Sequence, residues 1–334
     1  MERNCIDIHC HAAGIGAGGS GCFVSRAIRR SWKFGIYLKA FAVSEQELVS
    51  EGDGLIIRRL SENLRHSRRV DAAVVLAMDG VIAGNGELDR ERTEIYIPNK
   101  FLAREILHTP NLLFGASVNP YRRDALERLE RAAAEGAVLL KWLPSIQHID
   151  PADHQLIPFY QKLIELGLPL LSHTGSEHSF TTALDELADP ERLRLPLSVG
   201  VTVIAAHAGG SGRFHGKKSR ERFLRLAGEY PNLHADISAL TQLNRMGHLS
   251  WLLRQSKLHG RLCYGSDMPI LNTAAVSVWG YLCRLPLAKI MAINRISNPW
   301  DRDVALKEAL GVTPLMLLNS AARIRHQGSV ARLS

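Results

Sequence analysis

Eight short apolar runs, each closed by loop-forming residues and followed by a helix-like stretch, constrain this chain more than any other feature. They are CIDIHCH (5–11), DAAVVLAM (71–78), LLFGASVNP (112–120), AVLLKWLP (137–144), LPLLSHTG (168–175), VTVIAAHAGG (201–210), NLHADIS (232–238) and RLCYGSD (261–267). Near-continuous Val, Ile, Leu and Ala runs suit strands buried on both faces, as in a parallel sheet covered by helices. Eight such units predict an α/β fold: a slightly distorted (β/α)8 TIM barrel with an inserted loop after strand 1 and C-terminal helices. At 334 residues and 46% hydrophobic content, one domain over residues 1–334 can bury its own core.

Two of the intervening helices are legible. RRDALERLERAAAEG puts Leu126, Leu129 and Ala133 on one face and Gly136 at its end; DHQLIPFYQKLIELGLP repeats the pattern up to Gly167 and Pro169. Residues 12–43, Gly-rich and then basic and aromatic, read as a loop over the mouth of the barrel. Residues 269–302 read as an excursion before the C-terminal helices.

Several function classes fall away. No apolar run approaches the roughly 18 residues of a membrane span, and MERNCIDIHC lacks a signal peptide's apolar core, so a cytoplasmic protein is expected. Five cysteines without a CxxC pair argue for reduced thiols, not a disulfide framework or a zinc knuckle. The net charge of +8 draws on RAIRRSWK and HGKKSRERFLR, but no stacking-aromatic pattern accompanies it. A small-molecule partner is therefore expected, and no nucleic acid or membrane. GIGAGGSG (14–21) lacks the GK[ST] ending of a phosphate loop and reads as a flexible loop at the site.

Polar residues recur where the predicted strands end, the place where barrels of this kind carry their chemistry. His9 and His11 end the first, Lys141 the fourth, His173 the fifth, His207 the sixth and Asp267 the eighth. Two residues apart on a strand, His9 and His11 share a face with Cα atoms roughly 6.5 Å apart. His9, His11, His173 and Asp267 make a mononuclear centre for zinc, iron or manganese. Cys10 alternates away and should pack behind the site. Ser266 has no evident base for a nucleophilic role. Asp236 is placed to hydrogen-bond a ligand histidine. Glu177, His178 and His215 lie near enough in sequence to reach a substrate, and Arg26, Arg29, Arg30 or Lys217 can hold an acid.

The set DIHCH, LLKWLP, DPADHQLIPFYQKLIELGLPLLSHTG, AHAGG, PNLHADIS and YGSDMP resembles the amidohydrolase superfamily, and within it the amidohydrolase-2 family of TIM-barrel metal-dependent hydrolases. The resemblance implies that His9, His11, His173 and Asp267 hold a divalent metal, Zn2+ first and Mn2+ or Fe2+ next, one ion in preference to two. It implies His207 beside the substrate, as acid, base or polarising donor. Lys141 stays open: a carboxylated bridge to a second metal with His173 and His207, a substrate-carboxylate ligand, or a cap on strand-end carbonyls. The expected activity is hydrolysis: a metal-activated water, with Asp267 as base, attacks the carbonyl centre of an amide, lactone or ester in a small anionic substrate. The alternative is non-oxidative decarboxylation of an unsaturated or aromatic acid, for which related enzymes use the same frame. A homodimer is what relatives lead one to expect.

Overall fold

The computed structural model describes residues 5–177 and 179–324. Eight parallel strands follow one another around a single sheet: β1 (Ile6–His11), β2 (Ala72–Leu76), β3 (Leu112–Ala116), β4 (Leu139–Trp142), β5 (Leu170–Ser172), β6 (Val203–Ala205), β7 (Leu233–Asp236) and β8 (Leu262–Cys263). The ring closes because Ile8 N donates to the Tyr264 carbonyl (3.1 Å), Asp267 N to that of His9 (2.8 Å) and His11 N to that of Met268 (2.8 Å). All eight sequence-predicted runs contain a barrel strand.

Side chains alternate between two apolar layers. Ile8, Val74, Leu113, Leu139, Leu171, Ile204 and Cys263 form one cluster, while Cys10, Val75, Phe114, Leu140, Leu170 and Val203 belong to the larger one shared with the helices. Because strand neighbours face opposite ways, the smaller cluster is the barrel interior and the larger is the sheet–helix layer. Cys10 accordingly packs behind the site. In β1 the pairing with β2 shifts between Asp7 and Cys10. Such a bulge re-aims side chains, and here it lets Ile8 stay in the interior while His9 and His11 reach the mouth.

Residues 12–43 are more ordered than a flexible loop. The Asp53 carboxylate accepts hydrogen bonds from Ile15 N (3.0 Å), Gly16 N (2.9 Å) and Ser20 Oγ (2.5 Å), pinning the glycine-rich turn. At Gly14 any Cβ would fall 2.6 Å from Asp53 Oδ2 and 2.7 Å from Cys22 Sγ, so only glycine fits. Helices α1 (Arg26–Arg30) and α2 (Trp32–Ala40) follow, each N-capped by a serine side chain. On α3 (Ala125–Ala134) the sequence-predicted face needs correcting. Leu129 and Ala133 are buried with Ala125 and Ala132, but Leu126 is 40% exposed, because the buried stripe runs one residue to its side. Gly136 ends this helix at φ 90°, as expected. No helix among the described residues is long and apolar enough to cross a membrane.

His234 on β7 is buried, and its Nδ1 has no hydrogen-bond partner among the described residues. Burial, with help from the charges of Arg323 and Arg261, pushes its pKa down to about 4. An unfolded histidine titrates near 6.5, so the stability associated with neutral His234 is fully present above pH 6.5. It is lost as pH falls towards 4, by about 3 kcal/mol over the whole window. Urea unfolding of His234→Gln should therefore show a shallower acid loss than the parent between pH 6.5 and 4. Identical slopes would mean that His234 titrates normally.

A candidate metal centre at the strand ends

The rings of His9, His11, His173 and His207 gather at one end of the barrel. Ring centroids lie 5.1 Å apart for His9 and His11, 5.1 Å for His9 and His207, and 5.0 Å for His173 and His207. Asp267 joins them: its Oδ1 is 3.1 Å from His11 Nε2 and 3.5 Å from His9 Nε2. His9, His207 and Asp267 each offer a ligand atom within 4.8 Å of the others. His207 and Asp267 adopt left-handed backbone, φ 60° and 64°. For residues other than glycine this is strained and is typical of functional sites.

Hydrogen bonds fix which nitrogens face the centre. His9 Nδ1 lies 2.7 Å from Asp236 Oδ2, and His207 Nδ1 lies 3.1 Å from the Ser238 carbonyl. Both oxygens only accept, so each Nδ1 carries the proton and each Nε2 turns a lone pair inward. The sequence expectation of His207 as a polarising donor therefore gives way to an acceptor or ligand role. The other Asp236 oxygen accepts from His207 N (2.8 Å) and from Ser238 N (3.1 Å) and Oγ (2.5 Å). Asp236 thus anchors two of the histidines at once, the positioning role its place in the sequence suggested.

The electrostatics suit a cation. Burial pushes the pKa values of His9 and His207 down and that of His173 to about 4, so all three imidazoles are neutral at pH 7. Burial alone would raise Asp236 and Asp267. Contacts with His9 for Asp236, and with His11, His207 and His9 for Asp267, override it and hold both carboxyls well below the usual range. His173 Nε2 is buried without a hydrogen-bond partner among the described residues, although Glu177 Oε2 lies 3.6 Å away. Neutral imidazoles, an ionised carboxylate and one orphaned inward nitrogen fit a divalent ion. Lys141 Nζ approaches His9 Nε2 at 2.9 Å, and burial lowers its pKa to about 8.

These residues lie at the floor of a cavity of about 460 Å³ whose walls come from α1, α2 and the turn after Asp267. Lys141 and Glu177 line it, as expected for substrate contacts. His215 does not. It occupies the exposed turn between Arg213–Phe214 and Lys217–Lys218, whose pairing projects the turn residues into solvent. Lys217 is exposed on the same hairpin, and Arg26, Arg29 and Arg30 lie on the outer face of α1, Arg29 paired with Glu45. His178 lies outside the described residues.

Lys33 on α2 and Arg245 also line the cavity, and sequence reasoning missed both. Arg245 is the more deeply buried of the two. It follows β7 in a single helical turn, Leu243–Arg245. Its Nε and Nη1 are shielded from solvent without a hydrogen-bond partner among the described residues.

Comparison with known proteins agrees with this geometry. Residues 6–305 match the model of a family described as amidohydrolase, the amidohydrolase-2 group. No curated protein sequence matches the chain. Among solved structures, an uncharacterised TIM-barrel protein, Bb4693 from Bordetella bronchiseptica, superposes at TM-score 0.56 with 15% identity, covering 91% of this chain and 99% of that one. The IDCase of Metarhizium anisopliae gives TM-score 0.48 at 13% identity, covering 99% and 97%. The 5-carboxyvanillate decarboxylase of Sphingomonas paucimobilis gives 0.46 at 12%, covering 99% of each. The first of these shows the fold; the match over residues 6–305 shows more, and the chain belongs to the amidohydrolase-2 family of metal-dependent enzymes, which includes hydrolases and decarboxylases.

Proposed function

We propose that this protein is a metal-dependent hydrolase acting at the carbonyl centre of an amide, lactone or ester in a small anionic substrate. The donor set carries the reading: proton-free Nε2 atoms on His9 and His207 converge with ionised Asp267, while His11 lies against Asp267 and the His173 ring beside that of His207. A divalent ion held there, with Zn2+ ahead of Mn2+ or Fe2+ and one ion ahead of two, would polarise the substrate carbonyl and acidify a neighbouring water. Asp267, kept ionised by its histidine neighbours, accepts the water's proton and returns it to the leaving group. Asp236 and Ser238 hold the histidine rings in register throughout, so none has to reorient during the reaction. Lys141, with its Nζ 2.9 Å from His9 Nε2, stays open between a carboxylated bridge to a second ion and a substrate contact, which metal stoichiometry decides.

Decarboxylation of an unsaturated or aromatic acid is favoured by one observation, the guanidinium of Arg245 in the same cavity, whose Nε and Nη1 have no partner among the described residues and which can grip a carboxylate. The test is product analysis on Zn2+- or Mn2+-reconstituted protein offered lactones, esters and amides in one panel and aromatic and unsaturated acids in another. Hydrolysis in the first panel, reduced at least about 100-fold in His9→Ala along with bound metal, is expected. CO2 from the second panel with no hydrolysis in the first would transfer the assignment to decarboxylation. Full metal content in His9→Ala and turnover undiminished by chelator would exclude both.

A further inference from the structure

The cavity is asymmetric in chemistry. Its floor holds the histidines, Asp267, Lys141, Glu177 and Arg245. Its upper walls are mostly apolar, with Ile28, Phe34, Ile36 and the Tyr37 ring from α1 and α2, Phe180 after β5 and Ile270 after β8; Lys33 on α2 is the one cation among them in the described lining. The apolar walls and the polar floor belong to one continuous space. At about 460 Å³ it falls within the range for ligands well beyond the size of a simple short-chain acid.

Leu243 N donates to the Ala275 carbonyl (2.9 Å), tying the Arg245 turn to the neighbouring loop, whose residues Thr273, Ala274 and Ala275 also line the cavity. Arg245 is therefore a fixture of the cavity. Two of its nitrogens are withdrawn from water without a hydrogen-bond partner among the described residues. Leaving charged donors unmade in this way is costly, and a carboxylate oxygen satisfies a guanidinium N–H better than any neutral acceptor does. Asp267 and Glu177 act on the guanidinium electrostatically without saturating those donors.

We propose that the substrate is an amphipathic acid, its carboxylate seated on Arg245 and a bulky apolar body, a fused aromatic or similar hydrocarbon group, in the chamber built by α1, α2 and Phe180. This rests on the reading of the floor as the reacting centre. It adds the substrate class that the metal ligands alone leave open. The carboxylate on Arg245 orients the molecule, and the apolar body fills the walls and expels water.

Binding tests this without any need for turnover. 2-Naphthoate, its neutral analogue 2-naphthamide, benzoate and acetate are titrated into metal-loaded protein, followed calorimetrically and by quenching of Trp32, which lines the mouth. The parent should bind naphthoate about 10- to 100-fold more tightly than naphthamide and more tightly than benzoate or acetate. Arg245→Gln should bring the acid and amide to within about threefold, Arg245→Lys should keep part of the preference, and Phe34→Ala should weaken naphthoate while leaving acetate unchanged. Circular dichroism melts confirm that each variant is folded.

Equal affinity for acid and amide in the parent overturns the proposal, as does acetate binding as tightly as naphthoate. A preference that survives Arg245→Gln and vanishes when the metal is stripped places the anion on the ion and overturns the Arg245 assignment. Metal stoichiometry, measured on the same samples, reports separately on the reading of the floor: naphthoate binding can fail while the metal is held, and the metal can be absent while Arg245 still selects acids.

Discussion

Asp267→Asn should lower turnover by at least about a thousandfold while leaving the barrel folded. General acid–base function alone is worth 10²–10⁴-fold, and under the proposed function this side chain would also be the centre's anionic ligand. The carboxylate lies against His11 and His9 and stands beside His207, and it projects from left-handed backbone at φ 64°. Asparagine keeps the shape and tolerates the left-handed conformation, so folding should survive. It removes the charge and the proton-accepting oxygen together. Bound metal by elemental analysis and kcat on whichever panel compound turns over are the two readouts. A variant that kept a tenth of parental kcat would show that the proton is handled elsewhere.

Why Asp267 could be found from the sequence, and Arg245 could not, follows from how each is placed. A parallel barrel strand reads as an unbroken apolar run, so a polar residue at its end stands out, and the fold sends that end to the catalytic face. His9, His173, His207 and Asp267 all announce themselves in this way, and Asp236, two residues before Ser238 at the end of β7, does so as a supporting group. Arg245 lies nine residues beyond Asp236 in an irregular segment, among 41 basic residues with nothing local to mark it. Only the tertiary path of that segment brings it to the cavity. His215 failed for the converse reason: proximity in sequence to a strand end says little once a hairpin carries the chain outward. The walls were half legible. Their position over the mouth followed from an insertion after β1, but their rigidity depends on Asp53, a long-range clasp that local composition does not reveal.

The largest stability effect should come from behind the site. Lys307 on α4 (Pro299–Ala309) is fully buried; its Nζ donates to Asp303 Oδ2 (2.5 Å) and to the Gly265 carbonyl (2.7 Å), and it lies 4.8 Å over the Tyr264 ring. The same helix sends Trp300 Nε1 to Asp7 Oδ2 (2.8 Å), and Asp7 Oδ1 accepts from His9 N (3.0 Å) and Ser266 N (2.9 Å). Thus α4 braces both the bulge that aims His9 and the turn that presents Asp267. Lys307→Met keeps the stem's packing but strands the Asp303 carboxylate, whose pKa burial already raises, leaving the Tyr264 and Thr241 hydroxyls as its donors among the described residues. Removing one member of a buried pair costs about 3–5 kcal/mol, mostly from the charge left behind. Urea unfolding at pH 7 should register that loss. Adding Asp303→Asn to Lys307→Met should recover part of it, since an amide tolerates the site without a countercharge. Strictly additive losses would show instead that Lys307 stabilises through the Gly265 carbonyl alone.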